Sequence, residues 1–228
     1  VQFKRTWPIA ETREVLVRRW QTLLAHDDKA TALREAGFRK VNGRYKDLDG
    51  TELPAISALR KDEPPLRIRR YAFRSFDRQW VLADPRLCDR IRPPLWQVYG
   101  QRQVYMTTFL SNVLGLGPAA TVAAEVPDLH HFRGSFGAKE VIPLWRNPGA
   151  SSPNVTTGLL DKLAEVLGRP VSPEDLFAYV YGLLAGPAYV ESFSEELTLP
   201  GPRVPITADA DLLARVVALG RHLVWLHT

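Results

Sequence analysis

The sequence contains two Pro-Pro pairs, and a Pro-Pro pair is the centre of a motif that some methyl-transfer enzymes use. In adenine and cytosine amino methyltransferases, an Asn/Asp-Pro-Pro-aromatic motif accepts the exocyclic amine of a flipped base, and its ring stacks on that base. The chain has Glu63-Pro64-Pro65-Leu66 and Arg92-Pro93-Pro94-Leu95, and neither has a suitable head or an aromatic ring. A Gly-x-x-x-x-Gly-Lys-Ser/Thr loop that would cradle a phosphate is also missing from the sequence. We therefore predict that this chain contains no methyl-transfer or nucleotide-hydrolysing centre.

Other residues capable of catalysis or metal binding do not form a recognisable set. A nuclease centre of the Pro-Asp…Asp/Glu-x-Lys type needs two acids and a lysine, but Gly137 stands where the second acid should precede Lys139. The adjacent imidazoles of His130-His131 usually point apart, which favours an ordinary loop over a metal site. The single cysteine, Cys88, has no neighbouring histidine, so we interpret it as a structural thiol. We predict neither catalytic nor metal-ligating residues.

The charge of the chain is unevenly distributed. Residues 1–105 contain 22 Lys and Arg against 13 Asp and Glu, whereas the remainder contains 8 against 12. Arginines are crowded between Arg67 and Arg92 and alternate with the aromatic residues Tyr71, Phe73 and Trp80. Because guanidinium groups match phosphate oxygens and guanine edges, this pattern favours a surface that binds a polyanion.

The first two thirds of the sequence predict two helices followed by strands. In residues 11–25 the spacing of Leu16, Trp20 and Leu23 gives one apolar face, which is typical of an amphipathic helix. A second helix over 29–36 is expected to end at Gly37. Turn residues then predict a hairpin or loop over 42–50. Short apolar runs bounded by breakers predict strands over 66–73, 80–83, 102–110, 120–126 and 141–145.

From about residue 156 the apolar spacing becomes helical. It predicts helices over 159–167, 173–185, 187–197 and 209–227, the second of them capped by Ser172 with Pro173 at its first position. The expected fold is α+β, with a small mixed β-sheet region in the first two thirds and a C-terminal helical bundle. We divide the chain into an N-terminal helical entry segment (1–65), a sheet-bearing basic region (66–150) and a C-terminal helical subdomain (151–228).

Composition indicates a soluble globular chain. It is 45% hydrophobic and 24% charged, and it has no run of roughly 18 uncharged apolar residues that would span a membrane. The sequence begins at Val1 without an initiator methionine or a leader, which suggests a piece of a longer protein that works in the cytoplasm.

Four segments resemble one known family in amino-acid sequence and in their order along the chain. Residues 73–80, Phe-Arg-Ser-Phe-Asp-Arg-Gln-Trp, are similar to a Tyr-Arg-Pro-Phe-Asp-x-Arg-Trp segment, with Ser75 in place of its proline. Residues 175–189 resemble a helical segment followed by Pro-x-Tyr, residues 202–205 a Pro-Arg-Ile-Pro element, and residues 219–227 a Leu-Gly…Leu-His ending. The family is the C-terminal specificity domain of Type ISP restriction-modification enzymes, which serve phage defence in prokaryotes.

The resemblance implies a target recognition domain for duplex DNA. It implies an adenine methyltransferase domain in the same polypeptide, with S-adenosylmethionine as the cofactor of that domain, and no cofactor or catalysis in the present chain. In such a domain, basic side chains hold phosphates while others read base edges in the major groove. The residues that we expect to contact DNA are Arg74, Arg78, Arg86, Arg90, Arg92 and Arg102 as a positive surface, with Gln103, Arg133 and Lys139 as base or phosphate contacts.

Two other functions remain open at the level of sequence. The chain can be a scaffold domain that clamps the methyltransferase domain and touches only the DNA backbone, in which case binding would show no sequence preference. It can also be an RNA-binding module, against which the lack of a compact aromatic RNA-binding motif argues mildly.

Overall fold

The computed structural model describes residues 6–38, 41, 43–115, 117–134 and 137–228. These residues form two compact units. The first unit comprises residues 1–71 and 78–97, and the second comprises residues 72–77 and 98–228. The boundaries predicted near residues 65 and 150 do not coincide with these borders, and the three-part division stays a prediction.

Two helices supply five of the eleven buried residues in the hydrophobic core cluster of the first unit, counted over the described residues. Helix α1 (Arg13–Ala25) begins after Thr12, whose side chain accepts a hydrogen bond from the backbone of Val15, and it buries its predicted apolar face. Helix α2 (Lys29–Glu35) is capped by Asp28 in the same way. The apolar faces of both helices share one hydrophobic cluster with Ile68 and Leu82.

The strands of the first unit are short. Strands β2 (Tyr45–Lys46) and β3 (Glu52–Leu53) form a hairpin where a hairpin or loop was predicted over 42–50, of which residue 42 lies outside the described residues. A three-stranded sheet has the order β1-β5-β4 and consists of β1 (Ile9–Ala10), β4 (Ile68–Arg74) and β5 (Asp77–Leu82). Residues 72–77, at the turn between β4 and β5, belong to the second unit. Helix α3 (Pro93–Gln97) follows the sheet and was not predicted.

A three-stranded antiparallel sheet lies in the second unit. Its strands are β6 (Tyr105–Thr108), β7 (Ala120–Ala123) and β8 (Glu140–Pro143), in the order β7-β6-β8. The central strand β6 and the neighbouring β7 are buried along their whole length. Such strands appear as continuous apolar or neutral runs rather than as an alternating pattern.

Four helices complete the second unit: α4 (Leu159–Leu167), α5 (Pro173–Leu184), α6 (Pro187–Ser192) and α7 (Ala210–His227). Helix α5 starts with a capping box, because the side chains of Ser172 and Asp175 each accept a hydrogen bond from the other's backbone N–H. Helix α6 ends at Ser192, earlier than the predicted residue 197, and a 3-10 turn covers Glu196–Thr198.

The expected α+β fold, with small sheets and a C-terminal group of helices, is confirmed. Tyr179, Tyr181 and Tyr189 are buried between elements of the second unit, as predicted for packing residues. Within the described ranges, none of the helices combines the length and the apolar character that crossing a membrane requires.

Candidate nucleic-acid interface

One face of β4 carries an exposed guanidinium group beside an aromatic stack. Because side chains alternate along a strand, Arg69 and Tyr71 lie on the same face. Arg69 is exposed, while Tyr71 is half-buried and stacks on Trp96 of α3. The two ring centroids are 6.2 Å apart, with 8° between the ring planes. The stack therefore holds α3 against the face of β4 that presents Arg69.

The loop before α3 has an unusual backbone. Arg90 and Arg92 have φ angles of 53° and 54°, in the left-handed region, on either side of Ile91. This conformation costs an L-residue roughly 1–2 kcal/mol, so the surrounding structure must enforce it. The Trp96 indole Nε1 donates to the carbonyl oxygen of Ile91 at 2.9 Å, and the Leu95 amide donates to that of Arg92 at 3.1 Å. We refer to residues 90–92 as the arginine loop.

The opposite face of the β4–β5 hairpin also carries arginine. The guanidinium carbon of Arg70 lies 5.3 Å from the centroid of the Trp80 ring, within the range of a cation–π interaction. Arg78 is exposed and shares the face of Trp80 on β5, since the two residues are two positions apart. Basic side chains thus occur on both faces of this hairpin.

The net charges of the two compact units differ in sign. The residues of the first unit include 20 Lys and Arg against 12 Asp and Glu, and those of the second include 10 against 13. The basic character that the sequence shows along residues 1–105 therefore belongs mainly to the first unit.

Arg86 does not lie on a positive surface, contrary to our prediction. It is 5% exposed, and its Nε and Nη2 donate to the two carboxylate oxygens of Asp84 at 2.9 and 2.6 Å. Its Nη1 donates to the carbonyl oxygen of Pro54 at 3.0 Å. The guanidinium group is occupied inside the first unit because a carboxylate two residues away accepts both of its parallel N–H bonds.

Gln103 also lies in the interior, within the second unit. It is 3% exposed, and its amide nitrogen donates to the carbonyl oxygens of Val98 and Trp145, both at 2.8 Å. Its amide oxygen accepts from the Trp145 backbone at 2.9 Å. These bonds fix the start of β6 to the segment after β8, so the side chain serves the fold rather than a surface.

Arg74 and Arg102 are partly exposed and form ion pairs within the second unit. Arg74 Nη1 is 2.9 Å from an Asp128 carboxylate oxygen, with 39% of the arginine side chain exposed. Arg102 Nη2 is 2.5 Å from a Glu174 carboxylate oxygen, with 65% exposed. The carboxylate partners are less exposed than the arginines, at 17% for Asp128 and 29% for Glu174, so both pairs are only partly open to solvent.

Arg133 and Lys139 belong to a loop of the second unit. The Arg133 guanidinium donates to the carbonyl oxygen of Leu114, and partial burial lowers its pKa. Its backbone is left-handed, with φ at 51°. Lys139 is exposed at the start of β8. Arg133 therefore links two loops of this unit, whereas Lys139 faces solvent.

The family model of the Type ISP C-terminal specificity domain matches residues 1–228. The chain belongs to this family. The family resemblance predicted from four segments is thereby confirmed over the whole length. A comparison of this specificity domain with curated proteins gives no match.

Three solved structures share the fold of this specificity domain. A cryo-EM structure of a DrdV–DNA complex matches with a TM-score of 0.63 and 17% identity, over 99% of this chain and 22% of that chain. The ATP-dependent Type ISP restriction-modification enzyme LlaBIII bound to DNA matches with a TM-score of 0.61 and 16% identity, over 98% and 15%. A nuclease-deletion mutant of the Type ISP enzyme LlaGI with a DNA substrate mimic matches with a TM-score of 0.55 and 17% identity, over 97% and 17%. This chain thus spans less than a quarter of the length of each of these proteins.

Our sequence-based selection left out exposed Arg69 of the specificity domain and the aromatic residues that stack beside it. Arg69 and Tyr71 share a face of β4, a fact that strand alternation alone indicates. Trp96 was missed because Pro93-Pro94 was read as a failed catalytic motif rather than as the start of a helix. The left-handed backbone of Arg90 and Arg92 has no signature in the sequence, since glycine is the usual residue there.

The side chains considered for chemistry in the specificity domain have structural contacts. The Cys88 thiol donates to the carbonyl oxygen of Leu82 at 3.0 Å. Asp128 accepts from Arg74 and from the backbone of His130 at 2.8 Å. In the parts of the chain that the structure describes, no three His, Cys, Asp or Glu residues are grouped so that they could hold a metal ion.

Proposed function

We propose that this chain recognises a specific sequence in duplex DNA for a restriction-modification enzyme that methylates adenine. The observation that carries the proposal is the net positive charge of the first unit, in which exposed Arg69 and Arg78 lie on the two faces of one hairpin. A DNA backbone is a polyanion that such a basic unit can bind, because guanidinium groups neutralise phosphates and release counterions. The three proteins of similar fold, all of them described as DNA complexes, support this choice.

The second unit has a different proposed task. Its residues have a net negative charge by sequence, so it is poorly suited to lie along a phosphate backbone. We assign it to contact with the methyltransferase domain of the same polypeptide, with Lys139, Arg74 and Arg102 as the residues that can add local DNA contacts. Arg86 and Gln103 are not included, because both are buried and hydrogen-bonded.

The chain is proposed to do no chemistry of its own. The methyltransferase domain of the parent enzyme would bind S-adenosylmethionine and flip the target adenine, and the protein would act in the cytoplasm, where prokaryotic DNA lies. Support comes from the sequence, which lacks an Asn/Asp-Pro-Pro-aromatic motif. With S-adenosylmethionine and duplex DNA, the chain is expected to transfer no methyl groups above background, and clear turnover would overturn this part.

Equilibrium binding at several salt concentrations tests the proposed function. The chain should bind a duplex with a steep salt dependence, and each phosphate contact adds about 0.9 to the slope of log K against log salt. Arg69→Ala and Arg78→Ala should each lower that slope by about 0.9 if the side chain holds a phosphate.

The matched control is Arg215→Ala, which removes an exposed arginine from α7 in the second unit and should leave the slope unchanged. Duplex binding that is absent at low salt would refute the proposal. Equal losses from the variants in both units would show that the charge of the whole chain, rather than the first unit, attracts DNA.

A further inference from the structure

We propose that the arginine loop is the base-reading element of this domain, with Arg90 as the side chain that contacts a guanine edge in the major groove. The inference rests on the proposed function, and it adds which residues separate one DNA sequence from another. It concerns the arginine loop alone, whereas Arg69 and Arg78 are proposed to contact phosphates of the DNA backbone.

The first step is the choice of residue in a left-handed backbone. Eight glycines of the described ranges have positive φ, as expected for a residue without a Cβ atom. Five other described residues share this conformation, and two of them, Arg90 and Arg92, flank a single residue in one loop. A glycine at either position would relieve the backbone, so the surrounding structure must hold Arg90 and Arg92 in this conformation.

The second step is the way in which the loop is held. The Ile91 carbonyl oxygen accepts from Trp96 Nε1, and Trp96 is itself stacked on Tyr71 of β4. The Gln97 side chain donates to the carbonyl oxygen of Leu48 at 2.8 Å, which fixes the other end of α3. The loop is thereby tied to the sheet and to the β2–β3 hairpin before DNA arrives. Such preorganisation lowers the ordering cost of binding and sets the direction of the side chain.

The third step is the chemistry that needs this rigidity. A phosphate contact tolerates a flexible side chain, because it depends mainly on charge and distance. A guanine contact is more demanding, since two parallel N–H donors must meet O6 and N7 at once. Arg90 is exposed, so its guanidinium group can enter a groove, while Arg92 is half-buried and better placed to support the loop.

Selection from a randomised duplex pool tests the inference. The chain first yields its preferred sequence, and the affinity for this duplex is then compared with that for duplexes in which one base pair is changed. Arg90→Ala should abolish the discrimination at one G·C pair, a loss of about 5- to 150-fold, and leave the affinity for unrelated duplexes unchanged.

Two further variants separate recognition from folding. Arg90→Gly removes the same side chain but suits the left-handed backbone, so it should lose the same discrimination without lowering the midpoint of unfolding. Trp96→Phe keeps an aromatic ring against Tyr71 and removes the donor to Ile91, so it should weaken discrimination at the same base pair and leave binding to unrelated duplexes intact.

The possible outcomes are distinct. An Arg90→Ala variant that binds every duplex more weakly by the same factor, or that discriminates as well as the wild type, overturns the inference and leaves the proposed function standing. A wild-type chain that binds no duplex refutes the proposed function itself, before any variant is compared.

Discussion

The ion pair between Arg86 and Asp84 buries two opposite charges in the first unit. Their side chains are 3% and 2% exposed, and the carboxylate also accepts from the Arg86 backbone at 2.9 Å. Removing one partner of such a pair is costly, because the remaining charge stays in the interior without compensation.

Asp84→Asn should therefore destabilise the protein by about 3–5 kcal/mol. The substitution keeps the size of the side chain and removes the charge that balances Arg86. Unfolding in urea, followed by far-ultraviolet circular dichroism, measures the change in the free energy of unfolding.

The matched control is Lys162→Met, which breaks an ion pair on α4 whose side chains are 65% and 70% exposed. It should cost less than about 1 kcal/mol, since exposed pairs contribute little. If Asp84→Asn lowers the free energy of unfolding as little as this control does, Asp84 is not needed to compensate the buried charge of Arg86.

At the level of secondary structure, α5 and α7 cross at two glycines. A Cβ atom on Gly220 would lie 1.9 Å from the carbonyl oxygen of Ala178, and one on Gly182 would lie 3.2 Å from the Cα of Gly220. The obstacles are backbone atoms, so only a separation of the two helices can make room.

Gly220→Ala should consequently destabilise the second unit by about 1–3 kcal/mol, the usual cost of overpacking. This is the opposite of the usual gain in helix propensity when alanine replaces glycine. Thermal unfolding monitored by circular dichroism tests it. Gly149→Ala, where a Cβ atom would meet no atom within 4 Å, should leave the unfolding temperature nearly unchanged. A Gly220→Ala protein at least as stable as the wild type would mean that the helices do not approach this closely.

Local signals explain why most elements were predicted and a few were not. The start of α5 follows from Ser172, Pro173 and Asp175, which determine a cap within one turn. The burial of Gln103 has no such local cause, because its partner Trp145 lies 42 residues further along the chain. Likewise, the spacing of the arginines in the sequence does not show that Arg86 is buried and Arg69 is exposed. The sequence thus predicted an arginine-rich candidate interface. It could not predict which arginines are exposed, because that depends on tertiary contacts.

At the scale of the whole molecule, the most exposed aromatic residues and the net positive charge are assigned to different compact units, although Phe76 lies only two residues before Arg78. Phe76 and Trp225, 69% and 72% exposed, are the large aromatic residues with the greatest exposure in the described ranges, and both belong to the second unit, whose sequence is net acidic. In the basic first unit, Tyr71, Trp80 and Trp96 are half-buried and occupied in ring stacking or cation–π contacts. Single-stranded RNA is bound where open aromatic rings accompany positive charge, because its bases stack on them.

The engaged aromatic residues of the basic unit predict a preference for double-stranded DNA over single-stranded RNA. In a competition assay at fixed salt, with a labelled duplex bound to the chain, an RNA strand of the same length should need at least about tenfold higher concentration than unlabelled duplex to displace half of the label, the factor that the loss of one base stack of about 1.4 kcal/mol gives. The reason is that phosphate contacts alone remain for the RNA, without base stacking in the basic unit. The two competitors must be compared at equal phosphate concentration, so that charge alone cannot produce the difference. Displacement by RNA at the same concentration as duplex would instead favour an RNA-binding module and would remove the basis for assigning Arg90 to the major groove.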